Sequence, residues 1–276
     1  MTRWETVDEE GIPELSAGQI REVDRIMTEE LGVDLLQMME LAGSHLARLT
    51  TGFMGDDLRE GPVVVLSGGG NNGGGGMAAA RHLHNRGIGV SVLTIGEPER
   101  MKPAPSHQRH TLLAMGIPVD RLESVGPAEL AARLGGAACL LDAVVGYGLV
   151  GSPEGAVLRA IEVMNRAERP VLSLDIPSGF DTSEGHLRET CVRALATLAL
   201  TLPKTGLFSV AGRKVAGRLF LCDIGVPGSL YRRVGADPGI LFGKGRILEL
   251  KKYTPGPECS ARDPEGRTKR RMVLPG

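Results

Sequence analysis

The sequence predicts an α/β fold with a mostly parallel central sheet, and three observations lead to that prediction. Short apolar runs rich in β-branched residues recur along the chain, separated by longer stretches of helical periodicity. A segment of almost pure glycine, 68–76, directly follows the first run, Val63–Ser67. The length of 276 residues and the hydrophobic content of 42% fit a globular protein with a substantial core. Strands that alternate with helices form right-handed βαβ units, which give a parallel sheet.

Two helices are predicted before the first strand. Ser16 is a typical N-cap for a helix over about 18–31, and Gly32 ends that helix. The second helix, over about 34–50, carries leucine, methionine and alanine at helical spacing. These two helices precede the alternating part of the chain. We therefore expect them to cover one face of the sheet or to offer a partner surface.

Strands and helices alternate from residue 63 onward. The predicted strands are 63–67, 89–95, 137–142, 170–174, 194–202 and 217–223, and the predicted helices are 74–86, 104–115, 127–134 and 155–167. No helix of similar length separates the last two strands, so we expect an irregular or antiparallel edge there. The predicted organisation is a flexible N-terminus, 1–14, one domain, 15–250, and a disordered basic tail, 251–276.

Composition and charge disfavour several classes of protein. The formal net charge is −1 and aromatic residues make up 3% of the chain, which argues against nucleic-acid partners. The four cysteines are widely spaced, so neither a zinc site nor a disulfide framework is indicated. No apolar run approaches the ~18 residues that span a membrane, and the acidic N-terminus is unlike a signal peptide. We expect a cytoplasmic protein without membrane or nucleic-acid partners.

Polar or glycine-rich segments follow four of the predicted strands. Ligands of open α/β sheets bind outside the carboxyl ends of the strands, so these segments are candidates for a site. They contain the paired asparagines of 68–76, Asp142 with the loop 146–152, Asp175 in an Asp-Ile-Pro-Ser-Gly turn, and Lys204. Each alone has a structural explanation, since an aspartate after a strand often caps the next helix. Their convergence on one edge of the sheet predicts a small-molecule site.

The glycine segment is compatible with one known nucleotide motif and not with another. It is no P-loop, because methionine rather than lysine follows Gly76. The dinucleotide fingerprint GxGxxG fits Gly68, Gly70 and Gly73, with Glu97 at a suitable distance downstream. An NAD-dependent dehydrogenase is therefore one interpretation. The surplus glycines and the asparagine pair have no role in that motif.

The ordered set of motifs resembles the YjeF N-terminal domain family, the NAD(P)H-hydrate epimerases. The resemblance rests on the N-N-G-G loop, D-A-x-x-G-x-G from Asp142, D-I-P-S-G-x-D from Asp175 and P-K-x-G around Lys204. It includes Val-Asp-Arg at 23–25 and covers roughly residues 15–235. The family implies a Rossmann-like, three-layer αβα sandwich with two extra N-terminal helices, and a homodimer.

The resemblance also implies a reaction and a set of site residues. Family members interconvert the two C6 epimers of hydrated NADH or NADPH, a damage product, so that a dehydratase can restore the coenzyme. Too few residues follow residue 235 for a dehydratase domain, so we expect that partner to be a separate chain. The implied potassium ligands are Asn72, Asp142 and Ser178. The implied substrate contacts are Asn71, Asn72, Gly73, Gly74, Gly75, Gly146, Tyr147, Gly148, Leu149, Val150, Gly151, Ser152 and Asp175.

A loss and return of water at C6 fits this chemistry. An acid protonates the C6 hydroxyl, water leaves, and the resulting iminium is hydrated on its other face. We expect Asp175 to be the acid–base group, and Lys204 to bind phosphate or to tune Asp175. The family loop usually carries an aspartate where this chain has Gly75. If catalysis needs that carboxylate, the chain is instead a non-catalytic nucleotide-binding or interaction module.

Overall fold

The computed structural model describes residues 4–149, 151–181 and 190–251. The strands are β1 (Glu5–Asp8), β2 (Val63–Ser67), β3 (Val90–Thr94), β4 (Val119–Arg121), β5 (Cys139–Ala143), β6 (Val171–Leu174), β7 (Ala196–Leu200), β8 (Arg218–Cys222) and β9 (Ile247–Lys251). The helices are α1 (Ala17–Arg25), α2 (Leu35–Met54), α3 (Asn71–His84), α4 (Pro103–Ala114), α5 (Pro127–Gly135), α6 (Gly155–Arg166), α7 (Val210–Ala216) and α8 (Gly228–Arg233). A π-helical turn, Ile26–Glu30, extends α1. Within these described ranges, no helix combines the length and the apolar character that crossing a membrane requires.

All nine strands form one sheet in the order β1-β9-β8-β7-β6-β5-β2-β3-β4. Every neighbouring pair is parallel except β8 and β9. From β2 the chain runs outward through β3 to β4 and then returns to β5 on the other side of β2. This reversal is a topological switch point, and it opens a crevice outside the carboxyl ends of β2 and β5. The predicted α/β fold with a mostly parallel sheet is confirmed.

Helices cover both faces of the sheet. Successive side chains of a strand point to opposite faces, so Val63 and Val65 pack against α1, α2, α3 and α4, while Val64 and Leu66 pack against α5 and α6. The two N-terminal helices therefore cover one face, which is one of the two roles predicted for them. Side-chain caps explain where these two helices begin. Ser16 caps α1 as predicted, and Asp34 caps α2 by accepting a hydrogen bond from the Leu36 amide at 2.7 Å.

The edge beyond β7 differs from the prediction. β7 and β8 are parallel and are joined through the short helix α7, whereas the antiparallel partner of β8 is β9, a strand that was not predicted. β1 pairs with β9 and also lies in the segment 1–14 that was predicted to be flexible. β1 is the edge strand and β9 lies next to it, and the glutamates, aspartate and lysine of these two strands weaken the apolar alternation that identifies a strand. Most of the predicted tail, from residue 252 onward, lies outside the described residues.

The glycine-rich segment is helical from Asn71, not from residue 74 as predicted. Glycine is disfavoured inside helices, so the sequence favoured a loop. Here α3 packs too closely for side chains: a Cβ on Gly73 would lie 1.8 Å from the Gly68 carbonyl oxygen, and one on Gly76 would lie 2.4 Å from Ala143 Cβ. Tertiary packing therefore decides the local structure, and the asparagine pair occupies the first turn of a helix.

Candidate active site

A cavity of about 590 Å³ lies outside the carboxyl ends of β2, β5, β6 and β7. Its polar wall is formed by the segments that follow these strands. Its apolar wall comes from α2 and from the segment after β8, and includes Leu35, Met38, Met39, Ala42, Ile224 and Val226. The cavity thus occupies the crevice at the switch point, where ligands of such sheets bind.

Asp175 and Lys204 form a buried ion pair in the polar wall. Their exposed fractions are 4% and 1%, and the Lys204 ammonium pairs with Asp175 Oδ1. Lys204 Nζ also donates to the Leu200 carbonyl at 2.6 Å, and the Leu200 amide donates to Asp175 Oδ1 at 3.4 Å. Asp175 Oδ2 faces Gly146, where a Cβ would lie 3.0 Å away. One carboxylate oxygen is therefore held by lysine while the other borders the cavity.

Two non-glycine residues of the cavity wall have left-handed backbone conformations. The φ angle is +71° at Asp175 and +67° at Thr201. Such conformations cost on the order of 1–3 kcal/mol each and persist only where the surroundings impose them. Backbone hydrogen bonds of 2.8 Å hold both residues, from the Asp175 amide to Leu198 and from the Thr201 amide to Cys222. No sequence pattern predicts the backbone conformation of Thr201, because a positive φ at threonine is set by tertiary contacts.

Asp142 lies beneath the cavity and is completely buried. Its Oδ2 accepts hydrogen bonds of 2.8 Å from the Ser173 hydroxyl and the Ser178 amide. Its Oδ1 accepts hydrogen bonds from the Ser178 hydroxyl at 2.5 Å and the Val144 amide at 3.3 Å. Burial raises the pKa of Asp142, and the hydrogen bonds from the two serines oppose that rise. All four donors converge on one carboxylate, which ties β5 to β6 and to the turn after β6.

Asn71 and Asn72 start α3 and line the cavity. The side-chain oxygen of Asn71, and both polar side-chain atoms of Asn72, are buried without a hydrogen-bond partner in the described part of the chain. Leaving a buried polar atom unpaired costs about 1–3 kcal/mol. Backbone N–H groups in the first turn of a helix also lack intrahelical partners, so this end of α3 is suited to an anion. These open groups indicate a polar ligand.

The three predicted ion ligands lie in one neighbourhood. Ser178 bonds directly to Asp142, and its hydroxyl oxygen accepts a hydrogen bond from the Val145 amide at 2.9 Å. The next residue, Gly146, borders Asn72, since a Cβ there would lie 3.5 Å from Asn72 Cγ. The side-chain donors are carboxylate, hydroxyl and amide oxygens, which suit a hard cation. In the described ranges, no group of three or more His, Cys, Asp or Glu side chains is placed to hold a metal.

The structure brings together only part of the predicted substrate-binding set. The members that line the cavity are Asn71, Asn72, Gly75, Gly146, Tyr147, Gly148 and Asp175. Gly73 and Gly74 instead face the packed interior: a Cβ on Gly74 would lie 2.6 Å from Met39 Sδ. Leu149, Gly151 and Ser152 are outside the lining, because the loop turns to the surface before α6, and Val150 lies outside the described residues.

Asp24 is a cavity residue that sequence reasoning did not select for the site. The Tyr147 hydroxyl donates to Asp24 Oδ2 at 2.5 Å. Burial raises the pKa of Asp24, although the hydrogen bond from Tyr147 opposes the rise; burial and the Asp24 charge both raise the pKa of Tyr147. A signal was present: Asp24 lies four residues after the buried Ile20 and beside Val23, on the apolar face of α1. Acidic residues are rarely placed on such a face without a partner.

Two further positions bear on the alternatives that the sequence left open. Glu97, the acidic residue of the dinucleotide fingerprint, is exposed and pairs with Arg121 at 2.6 Å, outside the cavity lining. Its position gives no support to a dehydrogenase. Gly75 borders the cavity, and a Cβ there would lie 2.8 Å from Leu174 Cδ2. A larger residue at position 75 therefore needs a shift of the Leu174 side chain.

The fold and the cavity define an α/β protein with a small-molecule site at the switch point of its sheet. The chain belongs to the family described as YjeF-related protein N-terminus, whose model matches residues 35–206. It is 37% identical over 234 residues to the NAD(P)H-hydrate epimerase of Dehalogenimonas lykanthroporepellens, covering 84% of this chain and 90% of that protein. The NAD(P)H-hydrate epimerase of Truepera radiovictrix is also 37% identical, over 224 residues, covering 81% and 95%.

Two further comparisons concern domain context and fold. The bifunctional NAD(P)H-hydrate repair enzyme Nnr of Moorella thermoacetica is 29% identical over 222 residues, which are 78% of this chain and 41% of that protein. A yeast protein of known crystal structure superposes with a TM-score of 0.76 at 23% identity, covering 87% of this chain and 100% of the yeast chain. At that identity the likeness shows the fold, and it agrees with the predicted Rossmann-like layers.

Proposed function

We propose that this chain is an NAD(P)H-hydrate epimerase, which interconverts the R and S forms at C6 of hydrated NADH and hydrated NADPH. The observation that carries the proposal is the buried Asp175–Lys204 pair in the cavity wall. It provides a carboxylate oxygen toward the cavity and an ammonium directly behind it. Relatives 37% identical to this chain carry the name of that activity.

The reaction requires one proton to be given and one to be taken back. Protonation of the C6 hydroxyl lets the C–O bonding pair leave with water, while the ring nitrogen lone pair forms the iminium. A water molecule then adds to the opposite face and loses a proton, so the product is the other epimer with no net change in atoms. Asp175 transfers these protons and its negative charge stabilises the cationic iminium.

Lys204 supports Asp175 in this scheme. Its ammonium is almost completely buried and donates to the Leu200 carbonyl as well as to the carboxylate, so it does not reach the cavity mouth. Of the two roles that the sequence suggested, tuning Asp175 fits this position better than binding a phosphate. A buried ammonium next to the carboxylate also offers a proton source that is shielded from bulk water.

The substrate contacts that we propose follow the two walls of the cavity. Asn71 and Asn72, with the first-turn amides of α3, face the phosphates and polar groups of the hydrated nucleotide. Gly146, Tyr147 and Gly148 form the wall opposite. The apolar surface of α2 packs against the reduced pyridine ring, which is a mostly apolar group. The same loop continues into Leu149, Gly151 and Ser152, which the resemblance also implies as substrate contacts and which lie outside the cavity lining.

Potassium is part of the proposal, with Asn72, Asp142 and Ser178 as its side-chain ligands. The unpartnered amide oxygen of Asn72 supports this assignment, because it is a buried acceptor that a cation would satisfy. When bound, the ion supplies positive charge that offsets the repulsion between Asp142 and the substrate diphosphate. The remaining expectations from the sequence analysis, a homodimer, a separate dehydratase chain and a cytoplasmic location, stay predictions.

The alternative is a catalytically degenerate module of the same fold, which binds the nucleotide without converting it. Gly75 favours it, because the family aspartate is missing from the cavity wall. The Asp175–Lys204 pair argues against it, since a buried, strained acid–base pair has no evident structural use. The two functions predict the same binding and differ only in turnover.

The test is conversion of purified hydrated NADH of R configuration, followed by chiral chromatography against a no-protein control. We expect the wild-type chain to form the S epimer faster than the spontaneous reaction. Asp175→Asn is expected to lower the rate about 100-fold or more, the usual contribution of a general acid–base group. Asp56→Asn is the matched control, because Asp56 is exposed in the turn after α2 and remote from the cavity lining.

Calorimetric binding of the hydrated nucleotide accompanies the rate measurement. Binding without acceleration by the wild-type chain identifies the degenerate module, and Gly75→Asp combined with Leu174→Ala then asks whether the missing carboxylate restores turnover. Failure of both binding and turnover contradicts the whole assignment. Loss of rate in Asp56→Asn as well as in Asp175→Asn contradicts the role given to Asp175.

A further inference from the structure

The hydrogen bond between Tyr147 and Asp24 joins two walls of the cavity. Asp24 lies in the last turn of α1, directly before the π-helical turn, and Tyr147 lies in the loop after β5. The phenol donates to Asp24 Oδ2 at 2.5 Å, and within the described residues no other side chain donates to that carboxylate. A hydrogen bond to an ionised acceptor, partly shielded from water, is among the stronger ones in proteins.

The loop that carries Tyr147 also borders Asp175. Gly146 approaches so closely that a Cβ there would lie 3.0 Å from Asp175 Oδ2 and 3.5 Å from Asn72 Cγ. In the part of the chain that the structure describes, no group donates a hydrogen bond to Oδ2, so the backbone of Gly146 is what confines it. Because Gly146 and Tyr147 are consecutive, a shift of the tyrosine moves the surface against which Oδ2 rests.

We propose that Asp24 is a positioning residue for the reaction: acting through Tyr147, it holds the wall 146–148 against Asp175 and fixes the oxygen that faces the substrate. This inference rests on the proposed epimerase. Before Tyr147, the Val145 amide donates to the Ser178 hydroxyl oxygen at 2.9 Å. At Tyr147 the ring packs against an apolar cluster, and beyond it the loop becomes exposed at Gly148. Among the described residues, the bond to Asp24 is the side-chain hydrogen bond that fixes the phenol of this loop.

Several groups act on the protonation of Asp24. Burial of the carboxyl raises its pKa most strongly and Asp175 adds to the rise, whereas the hydrogen bond from Tyr147 and the charge of Lys204 lower it. Arg21, one helical turn earlier on α1, also borders the cavity and lies near Tyr147. The phenol is the donor in either protonation state, because a carboxyl group keeps an acceptor oxygen whether or not it is ionised.

The test is a double-mutant cycle on the full chain with Asp24→Ala, Tyr147→Phe and the combination. Each single change is expected to lower kcat about 10-fold, the usual effect of losing one hydrogen bond to a charged group, with a smaller change in KM. The combination is expected to match the single variants, because both remove the same contact. Asp24→Asn is expected to recover most of the rate, since an amide oxygen still accepts from the phenol.

Glu22→Gln is the matched control, since Glu22 accepts from Arg25 on the same helix but outside the cavity lining. Hydrogen exchange over residues 144–149 gives a readout that needs no turnover: exchange is expected to accelerate in Asp24→Ala and Tyr147→Phe and to stay unchanged in Glu22→Gln. If the wild-type chain has no epimerase activity, this readout still tests the anchoring, and only the proposed function fails. Additive losses of about 100-fold, or unaltered exchange in both variants, overturn the inference.

Discussion

Asp142 and Asp175 are the same residue type at the carboxyl ends of neighbouring strands, yet their surroundings differ in almost every respect. Asp142 is completely buried and accepts four hydrogen bonds, from Ser173, Ser178 and Val144. Asp175 has a positive φ, one oxygen paired with Lys204 and one oxygen at the cavity wall. A fully satisfied carboxylate organises the structure around it, whereas a partly satisfied one keeps a capacity for proton transfer.

The same contrast extends to the neutral polar residues. Ser173 and Ser178 direct their hydroxyls to Asp142 at 2.8 and 2.5 Å. The amide of Asn72 is equally buried but has no partner within the described residues. The two serines thus hold Asp142 in the ligand-free protein, whereas the amide of Asn72 is left open to a ligand. We expect substitution of such a serine to affect mainly stability, and substitution of Asn72 to affect mainly ligand binding.

The largest expected effect is that of Lys204→Met. Removing the ammonium leaves Asp175 buried beside carbonyl groups, which is expected to lower the free energy of unfolding by about 3–5 kcal/mol and to abolish turnover. Asp175→Asn added to Lys204→Met is expected to recover much of the stability but none of the activity. Urea unfolding of the wild-type chain and of the two variants measures this. A double variant no more stable than Lys204→Met would show that the pair is not the source of the loss.

A second prediction compares Ser173→Ala with Asn72→Ala. The first removes a donor to buried Asp142 and is expected to cost about 1–3 kcal/mol of unfolding free energy. The second removes an unpartnered amide from a helix, so the ligand-free protein is expected to keep or gain up to ~1 kcal/mol while losing nucleotide affinity. Thermal unfolding with and without nucleotide separates the two. Equal destabilisation by both changes contradicts the contrast between the two groups.

The smallest expected effect is a change in the pH dependence of stability, and it comes from His45. Burial lowers the pKa of His45, and its Nε2 lies 2.9 Å from the Asp223 carbonyl oxygen. The folded state then binds fewer protons than the unfolded state, so stability is present above the ordinary pKa of 6.5 and falls as the pH decreases through the folded-state value. The slope is at most about 1.4 kcal/mol per pH unit.

His45→Gln keeps a donor for the Asp223 carbonyl and removes the titration. The free energy of unfolding is therefore expected to depend less on pH below 6.5 in the variant than in the wild type, as measured by urea unfolding at a series of pH values. The pH dependence that persists in the variant belongs to other groups. Identical slopes in both proteins would assign none of the dependence to His45.

Sequence patterns predicted the parts of this molecule that depend on local periodicity. The run Val63–Ser67 identified β2, and the position of Asp175 directly after β6 predicted that it would lie at the carboxyl edge of the sheet, where it borders the cavity. The start of α3 was missed, because only the packing against Gly68 and Ala143 explains four helical glycines in a row. The sequence predicts Asp24 as part of the Val-Asp-Arg motif and not as a cavity residue, since its partner Tyr147 is 123 residues away in the chain.

The pairing of β1 with β9 has a mechanical consequence. The two strands run parallel, with Glu5 opposite Leu248 and Asp8 opposite Lys251. A force that pulls residue 4 and residue 251 apart therefore acts along both strands in opposite directions, and loads all the hydrogen bonds between them at once. In an antiparallel pair at this edge, the same force would break the hydrogen bonds one after another. The edge strand that sequence patterns missed makes the fold resist extension in shear.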